Sequence, residues 1–394
     1  MSEDPHPSVD PVVPSGNAAT SNGRFYRPEL DVVRLLAFLL VFAHHSLPLT
    51  PVQGTARLPP VLAQVLVNFD WATGFGLSLF FTLSAFLISE LLLRERQSTG
   101  QVHARPFYIR RILRIWPLYF AGLAIGLCFV TFPVPQRSEI AWTAWAVFLM
   151  GNWATIFLNV AKNPMGVLWS ISVEEQFYLF IPWVIKYSNR RQLAGLCVAL
   201  IVVANVWLFF LGRMQILDKV IWYNSFVQFE CFAAGILLCL LLHGQSPRLS
   251  IPLRLLVLLL AAGCWYVAIA VFHTRLIGYA TGGSLNLIAG YALATLGCCL
   301  ILIAFLGVSP KFLPGWAIYL GRISYGLYVF HILAFEITIP IFPHHVSVGS
   351  GLMVLKGATA LGMTILLASL SYRFFEAPFL RMKRRFEIVE SRPV

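Results

Sequence analysis

From Leu30 to about Phe375 the sequence is a succession of apolar runs with little between them. Eleven can be delimited, near 30–49, 72–93, 115–132, 141–158, 168–186, 193–211, 222–242, 252–272, 284–306, 317–341 and 351–375. A helix of about twenty apolar residues crosses the ~30 Å hydrocarbon core of a bilayer. In lipid, only helices and closed barrels satisfy their own backbone groups, and an open strand does not. Only 12% of the 394 residues are charged and 58% are hydrophobic, where a soluble domain carries about twice that charged fraction. A soluble fold would need many fully buried helices and almost no surface. The expected fold is therefore all-α, a polytopic membrane helix bundle.

The charges between runs set the topology, because Lys and Arg gather on the cytoplasmic side. The stretch 94–114 carries Arg94, Arg96, Arg105, Arg110, Arg111 and Arg114, and further basic stretches run from Lys186 to Arg191 and from Arg373 to Arg385. All three should be cytoplasmic. Eleven full crossings would put Lys186–Arg191 outside. Treating the Trp-rich run 141–158 as re-entrant or interfacial repairs the pattern. About ten spans then remain, with both termini cytoplasmic in the cell (inner or plasma) membrane.

The net charge of +12 follows from the same bias and calls for no nucleic acid. The first 23 residues have no apolar core of a signal peptide. The chain divides into a disordered cytoplasmic tail over 1–26, a membrane domain over 27–380 and a basic cytoplasmic tail over 381–394. Seven cysteines, at 128, 197, 231, 239, 264, 298 and 299, all sit in apolar runs without metal-ligand or disulfide spacing. No metal is expected, and the oligomeric state is left open.

Ionisable residues inside spans cost about 2.5–3.5 kcal/mol each at a helix centre, so those present ask for a reason. Arg34 and His45 lie eleven residues apart in the first run, about 20° from the same helical face and roughly 16 Å apart along the axis. His44 lies about 100° round from His45. The run at 168–186 opens with two adjacent carboxylates, Glu174 and Glu175. Helix capping through Ser170 or Ser172 would explain one of them. A buried Glu beside a His would instead orient or charge a general base. Arg110, Arg111 and Arg114 anchor the topology and form a guanidinium set able to hold phosphates. In the run at 317–341, Ser324, Tyr328 and His331 share a face beside Tyr325. Helix–helix hydrogen bonding and a site role are both open there.

These residues, in this order, resemble the acyltransferase-3 family of integral membrane O-acyltransferases. The opening span Leu30-Asp31-Val32-Val33-Arg34 with His45 is similar to the family's first helix. Gly76 to Ile88 resembles its second motif, with Ser84-Ala85-Phe86 where the family has Ser-Gly-Phe. The pair Arg111 and Arg114, the stretch Trp169 to Tyr178, the stretch Gly321 to His331, and Glu376-Ala377-Pro378 follow over roughly 27–380. The resemblance implies a ten-helix core without the fused extracytoplasmic esterase-like domain of many members. It implies an acyl-CoA donor, most often acetyl-CoA, with its phosphates on Arg110, Arg111 and Arg114. His45 would be the general base or would carry the acyl group. Glu174 would orient it, with Glu175 the alternate, and Ser324, Tyr325 and Tyr328 would line the substrate site. Arg34 would pair with Asp31 or meet the donor. The acceptor would be a hydroxyl of a cell-surface or exported glycan, contacted by the loops at 50–71 and 273–283, with membrane lipid as the surround. The alternatives are acylation of a small secondary metabolite or lipid-linked sugar, and a transporter without chemistry.

Overall fold

The structure, a computed structural model, describes residues 25–46, 59–131, 137–158, 163–274, 283–342 and 351–389. Among them every regular element is helical. In chain order these are α1 (Pro28–Ser46), α2 (Pro60–Thr73), α3 (Gly76–Thr99), α4 (Ala104–Thr131), α5 (Arg137–Val147), α6 (Gly151–Leu158), α7 (Trp169–Tyr187) and α8 (Arg190–Arg213). They continue with α9 (Asp218–Trp222), α10 (Ser225–Leu242), α11 (Ile251–Ala270), α12 (Ser284–Phe305), α13 (Gly315–Arg322), α14 (Ser324–Thr338), α15 (Gly351–Leu370) and α16 (Ala377–Lys383). A π-helical turn over Ser371–Glu376 joins the last two.

Eight helical stretches are long and apolar enough to cross a membrane. The protein is multi-pass. α8 and α11 turn rows of Val and Leu outward, and Leu259 is 70% exposed, a surface suited to lipid and not to water. α1 and α7 are not among the eight. Each has 19 residues, about 28 Å of helix, but each also carries three charges: Glu29, Asp31 and Arg34 in one, Glu174, Glu175 and Lys186 in the other. Eight is the number met among the described residues, and the expected ten would need these two as well.

The run at 141–158 is a pair of short helices, α5 and α6, packed against one another. With 11 and 8 residues they reach roughly 16 and 12 Å, so neither crosses alone. The bend between them puts Leu149 at φ 60°. Its freed polar groups are met by α7: Gln176 donates to the Leu149 carbonyl at 2.9 Å, and the Gly151 N–H donates to Ser172 at 3.1 Å. Irregular backbone at membrane depth survives only where protein satisfies it in this way.

Three expected boundaries move. The stretch 94–114 is not one loop, because α3 continues to Thr99 and α4 begins at Ala104. Gly100, at φ 78°, ends α3 with its N–H on the Arg96 carbonyl, so Arg110, Arg111 and Arg114 stand on a helix. The run at 317–341 is broken at Ile323 into α13 and α14. α16 and a 3₁₀ turn over Arg384–Phe386 carry ordered structure through the 380/381 boundary expected before the tail. The tail over 1–24, residues 50–58 of the first loop and most of the loop at 273–283 lie outside the described residues. The described part of the first loop is α2.

α1 is held between α3, α13 and α14 at very close range. A Cβ on Gly76 of α3 would sit 2.7 Å from the Ala37 carbonyl oxygen, and one on Gly321 of α13 would sit 1.8 Å from that of Asp31. Glycine is required at both positions, and the polar face of α1 is thereby fixed in depth. Where the resembled family has Gly-Phe this chain has Ala85-Phe86, and the room is found across the interface: a Cβ on Gly235 of α10 would meet that of Ala85 at 3.0 Å.

Candidate active site

The stretch Trp169 to Tyr178 becomes the start of α7, and its polar residues face different neighbours. The N-cap, Leu168, makes no side-chain cap, so Ser170 and Ser172 are not the capping residues one reading allowed. Ser170 meets the Tyr328 hydroxyl of α14 at 2.8 Å. Ser172 and Gln176 hold the α5–α6 hairpin, as described above. Glu175 accepts from the Trp116 indole of α4 at 2.9 Å. Glu174 accepts from Ser84 of α3 and from Tyr178 one turn on. The two adjacent carboxylates are therefore separated in function: Glu174 faces a cavity, and Glu175 is turned away into the α4 contact.

That cavity holds about 100 Å³ and is walled by α1, α3, α4, α7 and α14. Arg34, Arg111 and Arg114 stand at one end, Ser84, Glu174 and Tyr178 line its middle, and Ser170, Ser324, Tyr325 and Tyr328 line the rest. A second cavity of about 110 Å³ shares Arg34, Ser84, Arg111, Arg114 and Tyr178 and opens the first toward the end where α1 begins, past Tyr26, Arg27 and Lys383. Together they form a basic mouth leading to an aromatic and hydroxyl-lined interior.

The arginines are not equivalent. Arg34 is bonded to Asp31 at 2.5 Å, and Asp31 also accepts from Tyr26 at 2.8 Å. Arg111 lies over the rings of Phe107 and Tyr178 at 5.6 and 5.3 Å. Arg114 carries no hydrogen bond or ion pair among the described residues, although it lines both cavities. Arg110, expected with them, does not line either of these two cavities; it shares a third, of about 40 Å³, with Arg111, Arg114 and Lys383. There it donates to the Phe386 carbonyl at 2.7 Å and pairs with Glu95 at 3.4 Å. Successive residues of a helix point about 100° apart, so Arg110 turns away from the inner cavity that Arg111 lines. Lys383 of α16 adds a further cation to the mouth, paired with Glu387 at 2.9 Å.

His45 does not line the cavity. It stands at the far end of α1, exposed, with Nδ1 2.8 Å from the Val41 carbonyl. A carbonyl only accepts, so Nδ1 carries the hydrogen and the lone pair is on Nε2. The ring nearest to it across the helix interface is His331 of α14, at 5.0 Å between centroids, and His331 in turn packs on Tyr328 at 5.5 Å. Glu174 engages Ser84 and Tyr178, not His45. His44 faces α2 instead, against Asp70 and Trp71. Tyr328 shares its hydroxyl with Ser170 and the Val167 carbonyl, and Tyr325 donates to the Ile115 carbonyl at 2.9 Å. The hydroxyl of Ser324 has no such partner among the described residues.

Sequence reasoning does not place Ser84, Ser170, Tyr178 or Lys383 at the cavity, and it leaves a site role open for His331, which lies outside it. Tyr178 and Ser170 lie four residues either side of Glu174, so the helical period alone points to them. Lys383 was absorbed in the topology signal of a basic stretch. A larger cavity, about 360 Å³, lies between α3, α8 and α10. Its arginines are taken up: Arg96 by the Ile185 and Ser188 carbonyls, Arg190 by the Leu240 carbonyl, and Arg94 by Glu90 at 3.0 Å. Among the described residues no group of three or more His, Cys, Asp or Glu is arranged to hold a metal.

Residues 27–373 match the model of a family described as an acyltransferase domain. The peptidoglycan O-acetyltransferase OatA of Listeria monocytogenes is 24% identical over 387 residues, covering 91% of this chain and 56% of that protein. The O-acetyltransferase OatA of Staphylococcus aureus is 26% identical over 379 residues, covering 90% and 57%. The chain thus spans a little over half the length of these curated relatives. No solved structure matches. The family match takes in every helix that walls the inner cavity, and the chain belongs to this acyltransferase family.

Proposed function

We propose that the protein is an integral membrane O-acetyltransferase that moves an acetyl group from acetyl-CoA on the cytoplasmic side to a hydroxyl of a glycan on the far side. The observation that carries this is the cavity system, which runs from a mouth of Arg34, Arg111, Arg114 and Lys383 to Tyr328. Beyond Tyr328, the His331 ring packs on both Tyr328 and His45. In this reading α1 and α7 also cross the bilayer, and both termini are cytoplasmic. The membrane domain extends to α16, because Lys383 belongs to the mouth.

The phosphates of the donor meet Arg111 and Arg114, with Arg34 held ready by Asp31. The pantetheine arm lies along Ser84, Glu174 and Tyr178. Rotation of the Tyr328 ring opens the inner end toward His45. There Nε2 of His45 takes the proton of the acceptor hydroxyl as its oxygen forms a bond to the thioester carbonyl. Ser324, about two helical turns before His331 on α14, contacts the donor's arm in the inner cavity. Collapse breaks the carbon–sulfur bond, and the departing thiolate receives the proton from His45.

The test is free thiol release and acetyl incorporation in membrane vesicles supplied with acetyl-CoA. His45→Ala should abolish both, by at least the 10²–10⁴-fold typical of a lost general base, while the protein still inserts. Wild-type turnover in that variant rules out His45 as the base. Movement of glycan without thiol release supports a transporter instead.

A further inference from the structure

His331 has no part in the reaction as described, yet its surroundings are unusual. It is fully buried on α14. Its Nδ1 lies 2.6 Å from the Tyr328 carbonyl, so Nδ1 carries the hydrogen and the lone pair is on Nε2. Among the described residues that Nε2 has no hydrogen-bond partner, a condition rare enough among buried polar atoms to require a cause. Three rings surround it: His45 at 5.0 Å, Tyr328 at 5.5 Å and Phe38 at 6.3 Å. Phe38 has no polar atom. The Tyr328 hydroxyl is held by Ser170 and Val167. His45 remains, and it is locked in the same tautomer by the Val41 carbonyl. Two imidazoles on two helices, 5.0 Å apart between ring centroids, thus carry their lone pairs on Nε2, and no hydrogen bond to either Nε2 is seen among the described residues. Two neutral rings gain nothing from this arrangement, but a single proton placed between them is held by both.

We propose that His331 acts through His45 as a positioning residue, its Nε2 accepting the Nε2–H that His45 acquires from the acceptor hydroxyl. The imidazolium formed in each turnover is then stabilised by a neutral imidazole, and the shared proton returns through His45 to the thiolate. This rests on His45 being the base. The other titratable side chains around the pair are Tyr328 on α14 and His44 on α1, whose ring is 5.4 Å from that of His45.

The experiment supplies radiolabelled acetyl-CoA to inverted membrane vesicles carrying the full chain, and counts free thiol and glycan-bound label across pH. His331→Phe keeps a ring of similar volume but removes the lone pair. It should lower turnover roughly tenfold or more without changing the KM for acetyl-CoA. It should also move the acidic limb of kcat/KM to lower pH, since His45 loses the neighbour that favours its protonated form. His331→Gln, whose carbonyl oxygen accepts, should recover part of both. In a His45→Ala background, His331→Phe should cost nothing more, because the two act as a unit. An unmoved acidic limb in both variants, whatever their turnover, overturns the proposal and leaves His331 a packing residue. If His331→Phe does not accumulate, the pH limb of His331→Gln decides alone: a partial shift supports the proposal and none overturns it. Full turnover in His45→Ala fails the base itself, whereas an inactive His45→Ala with an unaltered His331→Phe fails only the partnership.

Discussion

Arg114 is a cation at the junction of two cavities with no hydrogen bond or close ion pair among the described residues, attracted only at longer range by Glu376, whereas Arg34 and Lys383 each pair directly with a carboxylate. An uncommitted guanidinium has all its donors available for a phosphate, and hydrogen bonds to charged groups contribute about 1.5–3 kcal/mol. Arg114→Gln should therefore raise the KM for acetyl-CoA by roughly ten- to a hundredfold with little loss of kcat, read from initial rates of thiol release. Arg110→Gln should leave that KM nearly unchanged, because Arg110 is spent on Glu95 and the Phe386 carbonyl. At Glu174 the two hydroxyls of Ser84 and Tyr178 converge on one carboxylate. Ser84→Ala and Tyr178→Phe should consequently be non-additive, with a coupling of about 0.5–3 kcal/mol in a double-mutant cycle on thermal stability or kcat/KM. The residue types of this site were legible in the sequence, since charges are costly in lipid wherever they stand. Their allotment was not, because Glu174 and Glu175, like Arg110 and Arg111, differ only in which neighbouring helix they face.

At the level of elements, α1 is positioned by contact with backbone. Gly321 leaves no space above the Asp31 carbonyl, so Gly321→Ala must push α13 from α1 and should cost about 1–3 kcal/mol, as overpacking does. A lower unfolding temperature of the detergent-purified protein measures this, and activity should fall with it as Arg34 shifts. Helix lengths were less legible than helix number. An apolar run marks where a helix is in lipid, but α3 and α4 continue beyond that limit on Arg and Glu until Gly100 stops the first. The hairpin of α5 and α6 was legible only through the charge balance on either side of it. A reporter inserted near Asn159 should be reached from the outer face. Labelling from the cytoplasm would show that the hairpin crosses.

On the scale of the whole molecule, the basic mouth and the exposed His45 lie toward opposite ends of α1, a 19-residue helix. Donor and acceptor then never compete for one face. Acetyl-CoA given to inverted vesicles should be consumed, and given to sealed right-side-out vesicles should not; equal rates would contradict the assigned orientation. Basic residues between runs carry the expected sidedness, but they do not reveal the assembly of the mouth. Its walls come from α1 and α16, which are distant in the chain and meet only in space: Arg34 and Lys383 line one cavity, and the Phe386 carbonyl holds Arg110 of α4. This has a consequence for biosynthesis. Helices enter the membrane in the order in which they are translated, so α1, α3, α4 and α7 are inserted while α16 is still being made. An incomplete chain can hold its arginines and His45 yet lack the segment that completes the basic mouth, and under the proposed function turnover begins only once α16 has packed against α4.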